Sequence, residues 1–171
     1  LLVEQNKISW NTKFFDLFPE LKSKSKKEYQ NITLQDLLTF RGKLPSYTYT
    51  NEKPTRTEIT GNNAEQRYAL AKYLLSQKPM QPNEIGLTPS NADYILAGLM
   101  LEKVSGKTYK DLVLDFGKSI GIHFGFDYPN MTDTLQPYGH DANLQPVLPF
   151  DNYKLNWLLS AGNINISIDE Y

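Results

Sequence analysis

The stretch Thr88-Pro89-Ser90-Asn91-Ala92-Asp93-Tyr94-Ile95-Leu96-Ala97-Gly98-Leu99-Met100-Leu101-Glu102-Lys103-Val104-Ser105-Gly106-Lys107 constrains the fold more than any other part of the chain. A short polar turn opens onto a helix whose positions from Tyr94 to Leu101 are all apolar or small. Ser90 or Asn91 can cap the first turn, because a short polar side chain there accepts from an amide the helix leaves unpaired. Gly106 can close the last turn in the left-handed conformation. A helix apolar on every face is expected to be buried on most sides, not along one stripe. The Ser90-Asn91 pair is therefore expected at the rim of a core.

The remaining elements read as further helices joined by polar loops. Thr33, with Asp36 three residues on, predicts a capped helix over 34–40. Asn63 opens a longer helix through Ala64, Tyr68, Ala71, Leu74 and Leu75, ending before Pro79. Thr108 with Asp111 forms a second capping box for a helix carrying Leu112, Val113 and Phe116, which Gly117 or Gly121 ends. The alternation Ser46-Tyr47-Thr48-Tyr49-Thr50 fits a short strand or an extended loop, and residues 137–149 read as a proline-interrupted connection. Residues 22–28, rich in lysine, read as a solvated loop.

Composition narrows the function classes. With 171 residues, 40% of them hydrophobic, the chain can bury one real core, and a net charge of -1 gives no electrostatic reason for a nucleic-acid or acidic-membrane partner. The absence of cysteine excludes a disulfide framework, a thiolate nucleophile and cysteine-ligated zinc. No apolar run reaches the roughly 18 to 20 residues that span a bilayer. Residues 1–7 resemble the last turns of an amphipathic helix, and Ser167-Ile168-Asp169-Glu170 reads as a helix start with no helix after it. Both ends therefore lead to the expectation that the chain is a fragment of a longer protein.

Three segments carry a family resemblance. Asn31-Ile32-Thr33-Leu34-Gln35-Asp36-Leu37-Leu38-Thr39-Phe40-Arg41-Gly42-Lys43-Leu44-Pro45 resembles the I-T-[IL]-x-x-L-L-T-H-T-S-G-L-P segment of the serine β-lactamase-like family, which includes class C β-lactamases, DD-peptidases and related esterases. The stretch from Pro89 to Gly106 resembles that family's Y-S-N-x-x-Y-x-L-L-G segment, and Ser160-Ala161-Gly162-Asn163-Ile164-Asn165-Ile166-Ser167 resembles its A-G-G-L-x-S-T segment. All three occur in the family's order. The fold implied is mainly α: residues 1–171 form one partial domain, the helical lobe of an α+β fold with few short strands and the main antiparallel sheet missing.

The chemistry implied is acyl transfer through a serine ester, on a β-lactam, a D-alanyl cell-wall peptide or a small ester, without cofactor or metal. A serine hydroxyl needs a base to attack, and its tetrahedral intermediate needs preorganised donors. In the family a Ser-x-x-Lys motif opens the helix whose tail residues 1–7 would be, and a Lys-Thr-Gly or His-x-Gly motif lies on a sheet strand beyond Tyr171. Asn91 falls on the family's asparagine, which holds the lysine and the substrate's acyl amide. Pro89 stands where the family has its proton-shuttling tyrosine, and proline has no ionisable group. Ser90, next to it, is the second candidate catalytic residue. Two rival readings remain: a non-catalytic relative with a binding or regulatory role, which Pro89 favours, and a free-standing helical interaction module. A periplasmic or cell-envelope location also follows from the resemblance, and a lobe without its sheet is expected to self-associate through the surface left bare.

Other motifs are weaker. Ser23-Lys24-Ser25-Lys26 satisfies Ser-x-x-Lys in letter, but no apolar helix surrounds it to desolvate the lysine. Lys107-Thr108 lacks a following glycine, and His123-Phe124-Gly125 follows a helix. His140 reads as a turn residue. His123 and His140, with Asp127 and Asp141 nearby, lack the spacing of a zinc site.

Overall fold

Side-chain caps set the starts of the main helices. The computed structural model describes residues 1–131, 133–149 and 152–171. In chain order the helices are α1 (Phe14–Leu17), α2 (Leu34–Leu38), α3 (Asn63–Ser76), α4 (Asn91–Ser105), α5 (Tyr109–Ile120), α6 (Tyr153–Trp157) and α7 (Leu159–Gly162). Among the described residues the strands are β1 (Gly139–His140) and β2 (Pro146–Val147), which pair antiparallel with Gly139 opposite Val147. The fold is thus mainly helical, as expected. No described helix is long and apolar enough to cross a membrane.

Thr33 Oγ1 accepts from the Asp36 amide at 3.1 Å, and Asp36 returns a carboxylate oxygen to the Thr33 amide at 3.0 Å. That helix ends at Leu38 instead of residue 40, because Phe40 turns to a φ of 56°. α3 starts at Asn63 as expected, with Asn62 as its cap, whose side chain accepts from the Ala64 and Glu65 amides. Thr108 caps α5 as predicted, but Asp111 accepts from the Thr108 hydroxyl, at 2.6 Å. Gly121, at φ 74°, ends that helix, whereas Gly117 is buried inside it. Residues 46–50 form no strand, and the 137–149 connection contains the β1–β2 hairpin. Two 3₁₀ turns, Pro19–Lys24 and Lys27–Tyr29, occupy the expected solvated loop, with Leu21 and Tyr29 buried beneath its lysines.

The first residues form one helical turn closed by a left-handed residue. The Lys7 amide reaches Leu2 O at 3.0 Å, the Asn6 amide reaches Val3 O at 2.9 Å, and Asn6 has φ 55°. This pair of bonds is the usual termination that satisfies the last carbonyls of a helix.

The core is built around α4, which packs against α7, α2, α3 and α1. Ile95, Leu96 and Met100 of α4 meet Phe14, Leu34, Leu37, Leu70, Leu74 and Trp157 in one buried cluster. Each fully buried large side chain of this kind contributes about 1.5–3 kcal/mol. Gly98 lets α7 approach, since a Cβ there would collide with Ser160, whose hydroxyl donates to Tyr94 O at 2.8 Å. A buried ion pair ties four helices: the Arg67 guanidinium donates to Glu102 at 2.7 Å and to Asn156 at 2.7 Å. Glu102 also accepts the Tyr109 amide at 2.8 Å, fixing the first turn of α5. Beside α5 an apolar groove of about 800 Å³ lies between that helix and residues 1–10, lined by Leu2, Leu38, Leu101, Leu112 and Phe116 among others.

Candidate functional site

The mouth of α4 is assembled by two chain segments far apart in sequence. Thr88, buried, donates its amide to Phe40 O at 2.8 Å, and its hydroxyl accepts the Lys43 amide at 3.0 Å. Phe40 and Lys43 both adopt left-handed φ, 56° and 59°, so the 40–46 loop bends sharply around Gly42. Met80 donates its amide to Lys43 O at 2.9 Å, and the Tyr29 hydroxyl lies 3.4 Å from that carbonyl. Burial pushes the Tyr29 phenol up to about 12, so it stays a donor. These bonds lay the loop against the segment that leads into α4.

Ser90 and Asn91 then divide the work of the mouth. Ser90 is 5% exposed and caps α4: its hydroxyl accepts the Ala92 amide at 3.0 Å and donates to Pro45 O at 2.7 Å. Its one proton and one of its lone pairs are therefore engaged in holding loop and helix together. Asn91 is the first helical residue, half-buried, and its amide has no hydrogen-bond partner among the described residues. Pro89 offers only its carbonyl, which accepts from the exposed Ser46 hydroxyl at 3.1 Å. Ser46 was not a sequence candidate, because its approach to residue 89 depends on the folded loop.

Among the described residues, two buried groups near the mouth lack partners. Tyr47, on the next residue of the loop, has its hydroxyl buried without a partner among them, and burial raises its pKa, so it remains a neutral phenol. Asp93, in the first turn of α4, is 0% exposed, and neither carboxyl oxygen has a partner among the described residues. An acidic residue in a first helical turn fits the helix dipole, so sequence alone gave it no special status.

The other motifs lie elsewhere. Ser23, Lys24 and Lys26 are exposed on the 3₁₀ turns, and the Ser25 hydroxyl donates to Lys22 O at 2.9 Å. Lys107 pairs with Asp115 at 2.6 Å, and Thr108 is a cap. His123, its side chain 90% exposed, pairs with Glu170, while Gly125 forms an isolated bridge with Asn165. The Ser167 hydroxyl donates to the other Glu170 oxygen at 3.1 Å, so this serine faces a carboxylate and no lysine. His140 is exposed on β1. Among the described residues no group of three or more histidine and carboxylate side chains is placed to hold a metal ion. The mouth of α4 thus presents an amide and a hydroxyl without a nucleophile and base in contact, which suits substrate holding better than attack.

Comparison with known proteins gives this geometry a context. A family model described as Beta-lactamase matches residues 1–115. A class C β-lactamase from Rhodobacter sphaeroides superposes with a TM-score of 0.70 at 19% identity, over 99% of this chain and 44% of that one. FmtA from Staphylococcus aureus does so with a TM-score of 0.68 at 20% identity, over 99% of this chain and 44% of its own. A D-stereospecific amidohydrolase from Streptomyces sp. gives 0.58 at 20% identity, over 95% of this chain and 51% of that chain. At such identities these likenesses show the fold, and the chain spans about half or less of each structure's length. A search of curated proteins found no match.

Proposed function

Because the chain belongs to the β-lactamase family, whose model spans residues 1–115, we propose that it forms the helical part of a serine hydrolase working through an acyl-enzyme. The observation that carries this reading is the amide of Asn91, unengaged at the first residue of α4 on a mouth fixed by four chain-distant hydrogen bonds. In the proposed reaction a serine hydroxyl attacks the acyl carbonyl and gives its proton to a neighbouring base, the tetrahedral intermediate breaks its bond to the leaving nitrogen or oxygen, which takes that proton, and water later hydrolyses the serine ester to free the acid and restore the hydroxyl. Asn91 holds the acyl amide of the substrate, donating through Nδ2, while Oδ1 accepts from the base. Ser90 is a positioning residue in this scheme, since its hydroxyl already spans Ala92 and Pro45.

In this reading the nucleophile and its base are not assigned to residues 1–171, where no serine–lysine pair is bonded among the described residues. Substrates of the proposed class are a β-lactam, a D-alanyl peptide or a small ester at the cell envelope. The relatives named as a β-lactamase and an amidohydrolase support an amide or lactam over other bonds. Pro89 supports a second reading, a relative that kept the fold for binding without turnover, because no phenol stands at that position.

The test uses the protein that carries this chain. Replacing Asn91 with Ala is expected to lower the acylation kcat/KM by roughly 10²–10³-fold, the usual cost of one preorganised donor. Pro89→Tyr is expected to raise it. An active protein indifferent to Asn91→Ala rules out the assigned role, and reversible β-lactam binding with no acyl adduct selects the binding reading.

A further inference from the structure

The geometry points to Asp93 as a positioning residue whose uncharged carboxyl seats the 40–46 loop on the mouth of α4, and whose ionisation lifts that loop. Its Oδ1 lies directly against the backbone of Gly42, in the place a Cβ at residue 42 would take, with Leu37 closing the other side. Only glycine leaves that space to the carboxyl. On either side of Gly42, Phe40 and Lys43 hold their left-handed turns through Thr88, while Pro45 and Ser46 bond to Ser90 and Pro89. The bonds between this loop and residues 88–90 therefore lie within a few residues of one buried carboxyl.

Among the described residues that carboxyl has no donor to receive a negative charge. The titratable groups acting across from it are Asp36 of α2, which repels the charge, and Tyr29 of the Lys27–Tyr29 turn. No cation pairs with it among the described residues. Burial first, and Asp36 second, push the Asp93 carboxyl up to about 8. A carboxyl so raised is neutral in the native chain and ionised in the unfolded one between its two pKa values. Native stability consequently falls as pH rises from the ordinary aspartate range to about 8, and levels off above. Relief comes where the packing is weakest. Eight residues of α4 are buried, whereas the loop buries only Gly42 and Leu44 and leaves Arg41, Lys43 and Ser46 exposed, so water reaches the carboxylate by lifting the loop. The inference concerns this chain alone and does not require the acyl-transfer reading.

Amide hydrogen exchange on the full chain tests it. Protection of the Lys43 and Thr88 amides is expected to fall about tenfold or more between about pH 6 and about pH 9, after correction for intrinsic exchange. In Asp93→Asn the same protection is expected to stay level, while amides in the middle of α4 change in neither protein. A wild-type loop whose protection is independent of pH overturns the proposal, as does an unchanged fall in Asp93→Asn. Should that variant not fold, the infrared carboxylic-acid band of the wild-type chain decides. Its disappearance near pH 8 together with loss of Lys43 protection supports the latch, and its disappearance in the ordinary aspartate range contradicts it.

Discussion

Helices α4 and α5 follow each other in the chain and are built with the same punctuation, yet they end in opposite environments. Ser90 caps one and Thr108 the other, and each stops at a left-handed glycine, Gly106 at φ 68° and Gly121 at φ 74°. In α4 eight residues from Ala92 to Met100 are buried, Asp93 among them. In α5 the one buried residue is Gly117, where the returning chain brings Ile122 O to within 2.5 Å of an added Cβ, while Leu114, Phe116 and Ile120 are exposed. The caps decide where a helix begins and ends; the distribution of apolar residues around it decides how many neighbours it can serve. Being apolar all round, α4 became the hub whose rim carries the candidate site. A single apolar stripe leaves α5 attached by one edge, with the groove open beside it.

The largest test of this contrast removes the tie between the two helices. Glu102→Ala strips the buried Arg67 of its carboxylate, leaving it only neutral acceptors, and frees the Tyr109 amide, and is expected to cost about 3–5 kcal/mol by denaturant unfolding. Next comes a pair of truncations. Leu96→Ala in α4 is expected to cost about 2–5 kcal/mol, whereas Phe116→Ala in α5, 40% exposed, stays below about 1 kcal/mol. Equal losses at the two positions would break the comparison. Gly98→Ala forces Ser160 and α7 away from α4, an overpacking expected to cost about 1–3 kcal/mol and to be partly relieved by Ser160→Gly.

The caps sharpen the same contrast more finely. Ser90→Ala loses the Ala92 bond and also orphans the Pro45 carbonyl, for about 1–2 kcal/mol, while Thr108→Ala is expected to cost about 0.5–1 kcal/mol on an exposed helix start. Smallest of all is the expected difference between Gly106→Ala and Gly121→Ala. Each cost is about 1 kcal/mol, because both glycines hold left-handed φ with nothing within 4 Å of an added Cβ.

What was legible in the sequence follows from how local the chemistry is. Caps act over three residues, so Thr33 with Asp36, Thr108, the α3 start at Asn63 and the terminating Gly106 were readable, while the choice of Ser90 over Asn91 as a cap and of Gly121 over Gly117 as a stop needed the fold. The β1–β2 hairpin was not, because two-residue strands leave no alternation to detect. Contacts across long separations were invisible as well: Arg67 with Glu102, Ser46 with Pro89, Ser90 with Pro45. At the site, Asn91 and Pro89 stood out by their place in a family-like segment, and their positions at the α4 mouth are now fixed. Asp93 was hidden because an acid in a first turn is ordinary, and only burial without a partner makes it unusual.

In the proposed function α4 offers a substrate-holding amide while the attacking serine comes from elsewhere in the protein. Treating the protein that carries this chain with a fluorescent β-lactam, digesting it and mapping the acyl adduct by mass spectrometry addresses that directly. The expected adduct lies on a serine outside residues 1–171, and Asn91→Ala reduces its yield. An adduct on Ser90, Ser23 or any other serine of this chain would contradict the account.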